Sequence, residues 1–550
     1  MSSSCSLTVS YGEASALEIC SSLPFILTIG DSMHRIPLAF TLTAALALTA
    51  CQQQTPTSQL PLSAQDIGVS TSAPANQNID VTSNGAISVG GQKIFPIGFY
   101  YVPYGLTNST ILNDLGKIKS AGFNIVHINQ RTSEPDERDF LYTYLNSART
   151  LSSPYNQKMY VAIGDLTYNA TNNTCSNTDN PFNTGDRNSP QRNYLSGYQA
   201  DDAFFSYSLS DDAFMPTEVK SKCTSTNLQA RVAALNPRMD SVQGSSYFQA
   251  PNAVTGDTRD NKKPYYLTGA MDFWTYDRRT TVDGNGNIVR NPAFTAAWNR
   301  YRDLFYNTNI IGLQVHSGEN GGNSAAVYNS IKQGIEIAEA GEDADRYSAA
   351  QLQRITPLKG FSDPYYGPNA RNRSIWAEPM VLNTGVGTSV EKIGVEAWAA
   401  IAAGAKGLLW YAYRDTTEVM SPAYFTATTK VLADLKTRLP GTTTEINNIF
   451  LDGTKQYALN NSETVFGTSW EYGGKKYLLV VNTSPNVVTG DPTNLIFKAA
   501  GTRLSAVALD STSTARATTA TYNIAPWTDP RGVILTGTLP AQSATLFTLQ

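Results

Sequence analysis

Acidic side chains recur at or near the ends of short apolar runs in this sequence. Two carboxyl groups held close together can divide the roles of general acid and of base or nucleophile. The acidic residues in question are Asp165, Asp211, Asp212, Asp272, Glu319, Glu378 and Asp415. Their distribution raises the question of which elements would bring them to one place.

Eight β-type runs alternate with longer stretches that can hold helices. Several runs are apolar almost throughout, which is typical of strands covered on both faces of a parallel sheet. The runs are 95–103, 124–130, 158–166, 204–212, 264–274, 310–320, 373–383 and 405–415. Helical spacing of apolar residues predicts helices over 110–121, 293–306 and 390–403. This alternation predicts an α/β fold, a (β/α)8 TIM barrel over 79–440, whose functional side chains come from the carboxyl ends of the strands.

The end of the chain, 441–550, has a different pattern. A helix predicted over 424–439 leads into short alternating runs, and Gly473 and Gly474 stand between two of them as a hairpin turn would. The runs are 455–458, 464–471, 476–482, 493–498, 504–509, 533–538 and 544–548. Short strands at this spacing predict a small all-β sandwich after the barrel.

A secretory signal precedes these domains. From Met33 a short basic region leads into an apolar run over 36–48, which ends in a lipobox at 48–51. The run is shorter than the roughly 20 residues that span a bilayer, so a removable signal is favoured. Residues 1–32 lack this pattern, which indicates that translation begins at Met33. The segment resembles the signals of bacterial lipoproteins, which implies cleavage before Cys51 and acylation of that cysteine; an ordinary signal and cysteine are the alternative.

Residues 51–78 are rich in Gln, Thr, Ser, Pro and Ala, and they hold too few large apolar side chains to fold alone. They are predicted to be a flexible linker. The protein is therefore expected to be exported and anchored to a membrane of the cell envelope through Cys51. Gln52, the residue after that cysteine, points to the outer membrane or cell surface.

Two cysteines, Cys175 and Cys223, remain outside the leader and the lipidation site. In an exported protein a single remaining pair predicts one disulfide. The histidines and cysteines lack metal-site spacing, so no metal or other cofactor is expected. The formal net charge is -4 and no Lys/Arg cluster stands out, which argues against a nucleic-acid partner.

Several stretches resemble one enzyme family. Residues 95–100 are similar to the opening strand of barrel glycoside hydrolases, and 205–213 resemble their fourth strand. Residues 399–407 resemble the helix that leads into strand eight, and 477–482 the C-terminal sandwich. The resemblance runs from about 87 to 549 and implies a glycoside hydrolase of the large clan with catalytic carboxylates on strands four and seven.

The resemblance assigns roles to two carboxylates. Asp212 falls where the family has its acid/base Glu, and Ala213 replaces the usual Pro. Because Asp is one methylene shorter, its carboxyl would be withdrawn by about 1.5 Å. Glu378 falls at the nucleophile position, where many relatives of this type have Gln. A carboxyl separation of about 5 to 5.5 Å would predict retention of configuration, and about 6.5 to 9.5 Å inversion.

Three functions stay open at this stage. The first is hydrolysis of a polysaccharide or envelope glycan by Asp212 and Glu378. The second is a non-catalytic glycan-binding or structural envelope lipoprotein, in which these carboxylates bind sugar hydroxyls or pair with Arg373 or Arg414. The third is a different barrel hydrolase, which would use Asp165, Asp272 or Glu319.

Polar and aromatic residues near the strand ends form the predicted substrate-binding set. Aromatic rings there could stack on sugars, and the two histidines could hydrogen-bond a sugar, although packing in the core is the alternative for each. The C-terminal sandwich could likewise bind sugar or only cap the barrel. The set comprises Asp211, Tyr100, Tyr101, His127, Asp165, Asp272, Trp274, His316, Glu319, Trp376, Tyr411 and Tyr413.

Overall fold

The computed structural model describes the chain from residue 79 onward, with gaps. The described residues all belong to one compact unit, 72–550. They are 79–103, 105–128, 137–155, 158–163, 202–210, 264–270, 280–282, 288–290, 308–315, 317, 323–340, 373–382, 388–415, 417–439, 442–457, 463–490, 496–497, 504–509, 522–526 and 533–549.

Eight parallel strands form a closed barrel. They are β4 (Ile97–Val102), β5 (Ile125–Ile128), β6 (Tyr160–Ile163), β7 (Phe204–Ser210), β8 (Tyr265–Ala270), β11 (Ile310–Val315), β12 (Ser374–Pro379) and β13 (Leu408–Asp415). Each pairs with the next in this order, and β13 pairs back to β4 in the register Leu408↔Ile97. All eight predicted runs contain one of these strands, so the prediction of a TIM barrel is confirmed.

The strands alternate between an inner and an outer face. On β4, Phe99 and Tyr101 belong to the apolar cluster that the outer helices share, whereas Tyr100 and Val102 belong to a second cluster inside the barrel. Residues of a strand point to opposite faces in turn, and this period sorts the side chains into the two clusters. Gly98 lies on the inner face, where the carbonyl of Ile125 leaves no room for a β-carbon.

A three-stranded meander covers the end of the barrel at which the strands begin. It comprises β1 (Ile79–Val81), β2 (Ile87–Val89) and β3 (Gln92–Ile94), paired antiparallel in chain order. Its apolar side chains join the inner cluster with Ile310 and Leu409, which lie near the starts of their strands. The turn between β1 and β2 needs Gly85, whose φ is 80° and whose position lies against the carbonyl of Arg373.

Helices cover the outer face of the barrel. They are α1 (Asn108–Ser120), α2 (Glu137–Thr150), α3 (Ala325–Ala340), α4 (Ile393–Ala403), α5 (Pro422–Lys436) and α6 (Ile446–Asp452). Thr107 caps α1 by accepting from the backbone N–H of Thr110 at 3.3 Å, and Gly404 ends α4 with a φ of 110°.

The helices predicted over 110–121, 390–403 and 424–439 are confirmed, with a 3-10 turn at Val390–Lys392 before α4. The helix predicted over 293–306 lies outside the described residues. No helix in the described ranges is long and apolar enough to cross a membrane.

The C-terminal region forms two antiparallel sheets. One has the order β15 (Thr454–Tyr457), β16 (Val465–Tyr472), β17 (Lys475–Asn482), β23 (Ser543–Leu549) and β20 (Leu504–Leu509). In the other, β22 (Val533–Leu539) pairs with β18 (Val488–Gly490), β19 (Ile496–Phe497) and β21 (Tyr522–Pro526). Gly473 and Gly474 have φ values of 58° and 72°, as a tight hairpin requires. The all-β region is confirmed; the packing of its sheets as a sandwich and the boundary at 440 stay predictions.

Two further antiparallel pairings occur. Strand β9 (Thr280–Val282) pairs with β10 (Ile288–Arg290). The short strand β14 (Glu418–Val419) folds back antiparallel onto the end of β13.

Candidate active site

Glu378 is a carboxylate enclosed by the barrel. It lies near the carboxyl end of β12, the seventh barrel strand, and its exposed fraction is 1%. The hydroxyl of Thr268, on the fifth strand β8, donates to Oε2 of Glu378. The side-chain amide of Gln314, on the sixth strand β11, donates to Oγ1 of the same threonine at 3.2 Å. Three neighbouring strands thus contribute to one chain of hydrogen bonds that ends on the carboxylate.

Gly312 provides the space in which this carboxylate lies. A β-carbon built at this position would overlap Oε1 of Glu378 and Oη of Tyr266. The two oxygens therefore lie next to each other above the glycine, between strands β8 and β12. Any side chain at position 312 would have to displace one of them.

Aromatic and imidazole rings surround this polar group inside the barrel. The ring of His127 lies between those of Tyr100 and Tyr266, with centroid distances of 4.5 Å and 5.0 Å. The ring of Tyr411 lies 5.1 Å from that of Tyr100, and its hydroxyl donates to Asp415 at 2.7 Å. The structure thus brings Tyr100, His127 and Tyr411 to the same interior as Glu378.

Trp376 lies two residues before Glu378 on the same face of β12. Its side chain is fully buried, packs on Tyr266 with ring centroids 5.5 Å apart, and donates its indole N–H to Ser374 at 2.9 Å. Gly407 allows this close packing because a β-carbon there would touch the indole ring. Trp376 therefore forms the packed layer beneath the carboxylate.

Two tyrosines of the predicted set lie on the outer face of the barrel. Tyr101 donates to Asp114 on α1 at 3.1 Å, and burial raises the pKa of its hydroxyl, with the charge of Asp114 adding to the effect. Tyr413 packs among Phe99 and Phe425, and burial raises its pKa to about 12. The structure does not bring these two hydroxyls together with Glu378.

Arg414 also belongs to that outer cluster. Its Nε lies 2.6 Å from Oδ2 of Asp114, in an ion pair that is mostly buried. The sequence left open a pairing of Arg414 with the candidate catalytic carboxylates; the described structure gives it Asp114 as a partner.

A second buried carboxylate lies behind the loops at the carboxyl ends of the sixth and seventh strands. Glu396, in the first turn of α4, accepts at Oε1 from Ser324 at 3.0 Å and from Thr388 at 2.9 Å. Burial removes the carboxyl from water and raises its pKa. Hydrogen bonds from the hydroxyls of Ser317, Thr388 and Ser324 oppose this effect. The sequence reasoning did not single out this residue.

The remaining predicted residues lie outside the described residues. These are Asp165, Asp211, Asp212, Asp272, Trp274, His316, Glu319, Cys51, Cys175 and Cys223. Their roles, including the acid/base role of Asp212 and the disulfide, stay predictions. Among the residues that the structure does describe, no group of three or more His, Cys, Asp or Glu side chains is placed to hold a metal ion.

Sequence reasoning missed the residues that hold Glu378. Thr268 and Tyr266 lie in the predicted fifth run, and Gly312 and Gln314 in the predicted sixth run. In each run the two residues are separated by one position, so they share a face of the strand. The alternation of residues in each run therefore shows which side chains share a face. Only the pairing of the strands shows that these faces of the fifth and sixth strands meet Glu378.

Comparisons with known proteins give distant structural neighbours. A GH30 endoxylanase from Clostridium papyrosolvens is 11% identical, with a TM-score of 0.38, over 86% of this chain and all of its own. A glycoside hydrolase family 30 subfamily 8 xylanase from Clostridium acetobutylicum is 13% identical, with a TM-score of 0.39, over 83% and 96%. A maltogenic alpha-amylase from Thermotoga neapolitana is 11% identical, with a TM-score of 0.32, over 82% and 96%. No protein-family model and no curated protein matches the chain. The fold assignment rests on the strand order itself.

Proposed function

We propose that this protein is a glycoside hydrolase that cleaves O-glycosyl bonds of a polysaccharide or envelope glycan. The proposal rests on the carboxylate of Glu378, which lies on the inner face of the seventh barrel strand. It accepts a hydrogen bond from the hydroxyl of Thr268 on the fifth strand. Barrel interiors are ordinarily filled by Val, Ile and Leu, and burying a carboxylate costs free energy. A carboxylate kept there near the carboxyl end of a strand is therefore best explained by chemistry.

In the proposed reaction Glu378 is the nucleophile and Asp212 the acid/base. An oxygen of Glu378 bonds to the anomeric carbon while the glycosidic bond breaks and Asp212 gives its proton to the leaving oxygen. Water then attacks the glycosyl ester, and Asp212 takes back a proton. The neighbouring rings of Tyr100 and Tyr411 would line the approach to this carboxylate.

The test is release of reducing ends from a panel of polysaccharides and envelope glycans. We expect Glu378→Gln and Asp212→Asn each to lower kcat by about 10²–10⁴-fold, because each removes a group that changes its charge during the reaction. Glu471→Gln, an exposed position on β16, is the matched control and should leave the rate unchanged. Activity that survives both substitutions would point to Asp165, Asp272 or Glu319 instead.

A second candidate function is glycan binding without cleavage. The burial of Glu378 favours it, since a side chain 1% exposed and hydrogen-bonded by Thr268 has little access to an anomeric carbon. The short acid at position 212 points the same way. Saturable binding of a glycan by calorimetry, with no reducing ends released after long incubation, would establish this function.

We also propose that the protein is exported and anchored to the cell envelope through an acylated Cys51. The lipobox at 48–51 and the linker that follows it support this proposal. Two or more acyl chains give the stable anchoring that a single chain does not. The substrate would then be a glycan that reaches the surface of that membrane.

A further inference from the structure

The hydrogen bonds around Glu378 have a defined direction. The amide nitrogen of Gln314 can only donate, so Oγ1 of Thr268 accepts from it and turns its own proton to Oε2 of Glu378. The three side chains are 5%, 0% and 1% exposed, so water does not compete for these bonds. Buried hydrogen bonds of this kind fix geometry more strongly than exposed ones.

The strand register explains how three side chains meet. Thr268 lies opposite Gly312, and Gln314 lies opposite Glu378, on parallel strands of one sheet. With a glycine at 312, the carboxylate bends back over β11 and reaches the threonine two strands away. A larger residue at 312 would close this path.

We propose that Thr268, oriented by Gln314, is the positioning residue that sets the orientation of the Glu378 carboxylate. The threonine holds Oε2, and Gly312 gives Oε1 its place beside the hydroxyl of Tyr266. The effect on turnover rests on the proposed function, whereas the effect on the carboxylate itself does not.

This contact has a consequence for the pH profile. A donor to a carboxylate favours the ionised form, which is the form a nucleophile needs. Activity that depends on ionised Glu378 is lost as the pH falls, and without the donor this loss begins at higher pH. Among the described residues, the titratable groups that surround the site are Tyr266 on β8, His127 on β5, Tyr100 on β4 and Tyr411 on β13. None of them is changed in the variants below.

The first experiment compares Thr268→Val with Thr268→Ser in the full chain. Valine has the shape of threonine without the hydroxyl, whereas serine keeps the hydroxyl and loses a methyl. We expect Thr268→Val to lower kcat about tenfold or more, with KM little changed, and to move the acidic limb of the profile up by about one pH unit. Thr268→Ser should keep the wild-type limb. Equal profiles for both variants and the wild type would overturn the proposal.

The second experiment reads the carboxylate directly and does not need turnover. The protonated carboxyl stretch of Glu378 is followed by infrared difference spectroscopy as the pH is changed, and it is assigned by its loss in Glu378→Gln. We expect the titration midpoint to rise in Thr268→Val and to stay near the wild-type value in Thr268→Ser. If no glycan is cleaved but the midpoint rises, the proposed function fails and the positioning role stands. An unchanged midpoint in Thr268→Val sinks the positioning role, whatever the activity.

Discussion

At the scale of a single residue, the burial of the Glu396 carboxyl affects the stability of the protein. Its exposed fraction is 1%, and the hydroxyls of Ser324 and Thr388 supply donors to one of its oxygens. Burial raises the pKa of this carboxyl above the value of about 4.3 that Glu has in an unfolded chain. The folded protein therefore holds the proton more tightly than the unfolded chain does. The stability from this group is fully present below the unfolded value and is lost as pH rises through the folded-state pKa.

We predict that Glu396→Gln makes stability less dependent on pH. The amide keeps an acceptor for Ser324 and Thr388 but has no charge to desolvate. Relative to the wild type, the variant should gain urea resistance as the pH rises above about 4.3, the unfolded value, and the difference should shrink toward that pH. Urea midpoints at several pH values measure it.

The matched control for this prediction is Glu418→Gln. Glu418 is exposed on β14, so its replacement should change stability by about 0.5 kcal/mol or less. A Glu396→Gln variant that is less stable than the wild type at every pH would show that the carboxylate charge contributes more than its burial costs.

Helix α4 is the element that joins the barrel to the C-terminal sheets. Every residue of α4, Ile393–Ala403, is buried. The helix packs against barrel strand β12, helices α3 and α5, and strands β16, β17 and β23 of the C-terminal region. Thr468 of β16 donates to the carbonyl of Ala402 at 2.6 Å. A helix whose residues are almost all apolar and buried needs cover on all sides. The sheet that contains β16, β17 and β23 therefore completes the core around the barrel.

We predict that Phe466→Ala destabilises the whole protein. Phe466 of β16 stacks on Tyr328 of α3 with ring centroids 3.9 Å apart and planes 12° apart. Both rings are almost fully buried, and removing a buried phenylalanine costs about 3–5 kcal/mol. Urea unfolding followed by circular dichroism should show this loss in a transition that barrel and sheets share.

Val487→Ala serves as the control for this substitution. Val487 is 56% exposed, so its replacement should change stability by about 0.5 kcal/mol or less. If Phe466→Ala instead lowered the stability of the sheets while the barrel unfolded as before, the C-terminal region would be an independent domain.

At the scale of the whole molecule, the first described residues lie at the end of the barrel where the strands begin. The meander that starts at Ile79 covers the starts of the strands, and Asn84 donates to the carbonyl of Leu451 at 2.7 Å. Glu378 lies near the opposite, carboxyl end of the strands. Ile79, the first described residue, therefore lies at the end of the barrel away from Glu378.

We predict that Cys51→Ser abolishes incorporation of radiolabelled palmitate and moves the protein from the membrane fraction to the soluble fraction. The thiol of this cysteine is the proposed site of the acyl chains, and their buried methylenes supply the membrane affinity. Ser58→Ala is the control, because it changes a residue of the same linker and leaves the thiol of Cys51 in place. Labelling that persists in Cys51→Ser would show that the anchor is elsewhere or absent.

The barrel could be predicted from the sequence. Eight short apolar runs with β-branched and aromatic residues, separated by longer stretches that can hold helices, favour strands covered on both faces, and all eight barrel strands lie inside the predicted runs. The hairpin at Gly473 and Gly474 was equally readable, because only glycine readily adopts two successive positive φ values. The meander over 79–94 was missed, since strands of three residues carry too little periodicity to recognise.

Which side chains meet follows only from the way distant strands pair. Tyr100 and Tyr101 are neighbours in sequence, yet one lies beside His127 inside the barrel and the other beside Asp114 outside it. The partners of Glu378 come from positions 64 to 112 residues earlier in the chain, and strand register brings them together. The local sequence determines on which face of its strand each side chain lies. Which residues lie opposite each other depends on the register between strands that are distant in the chain. For that reason the carboxylate was predicted from the sequence, and Thr268, Gly312 and Gln314 were found only in the fold.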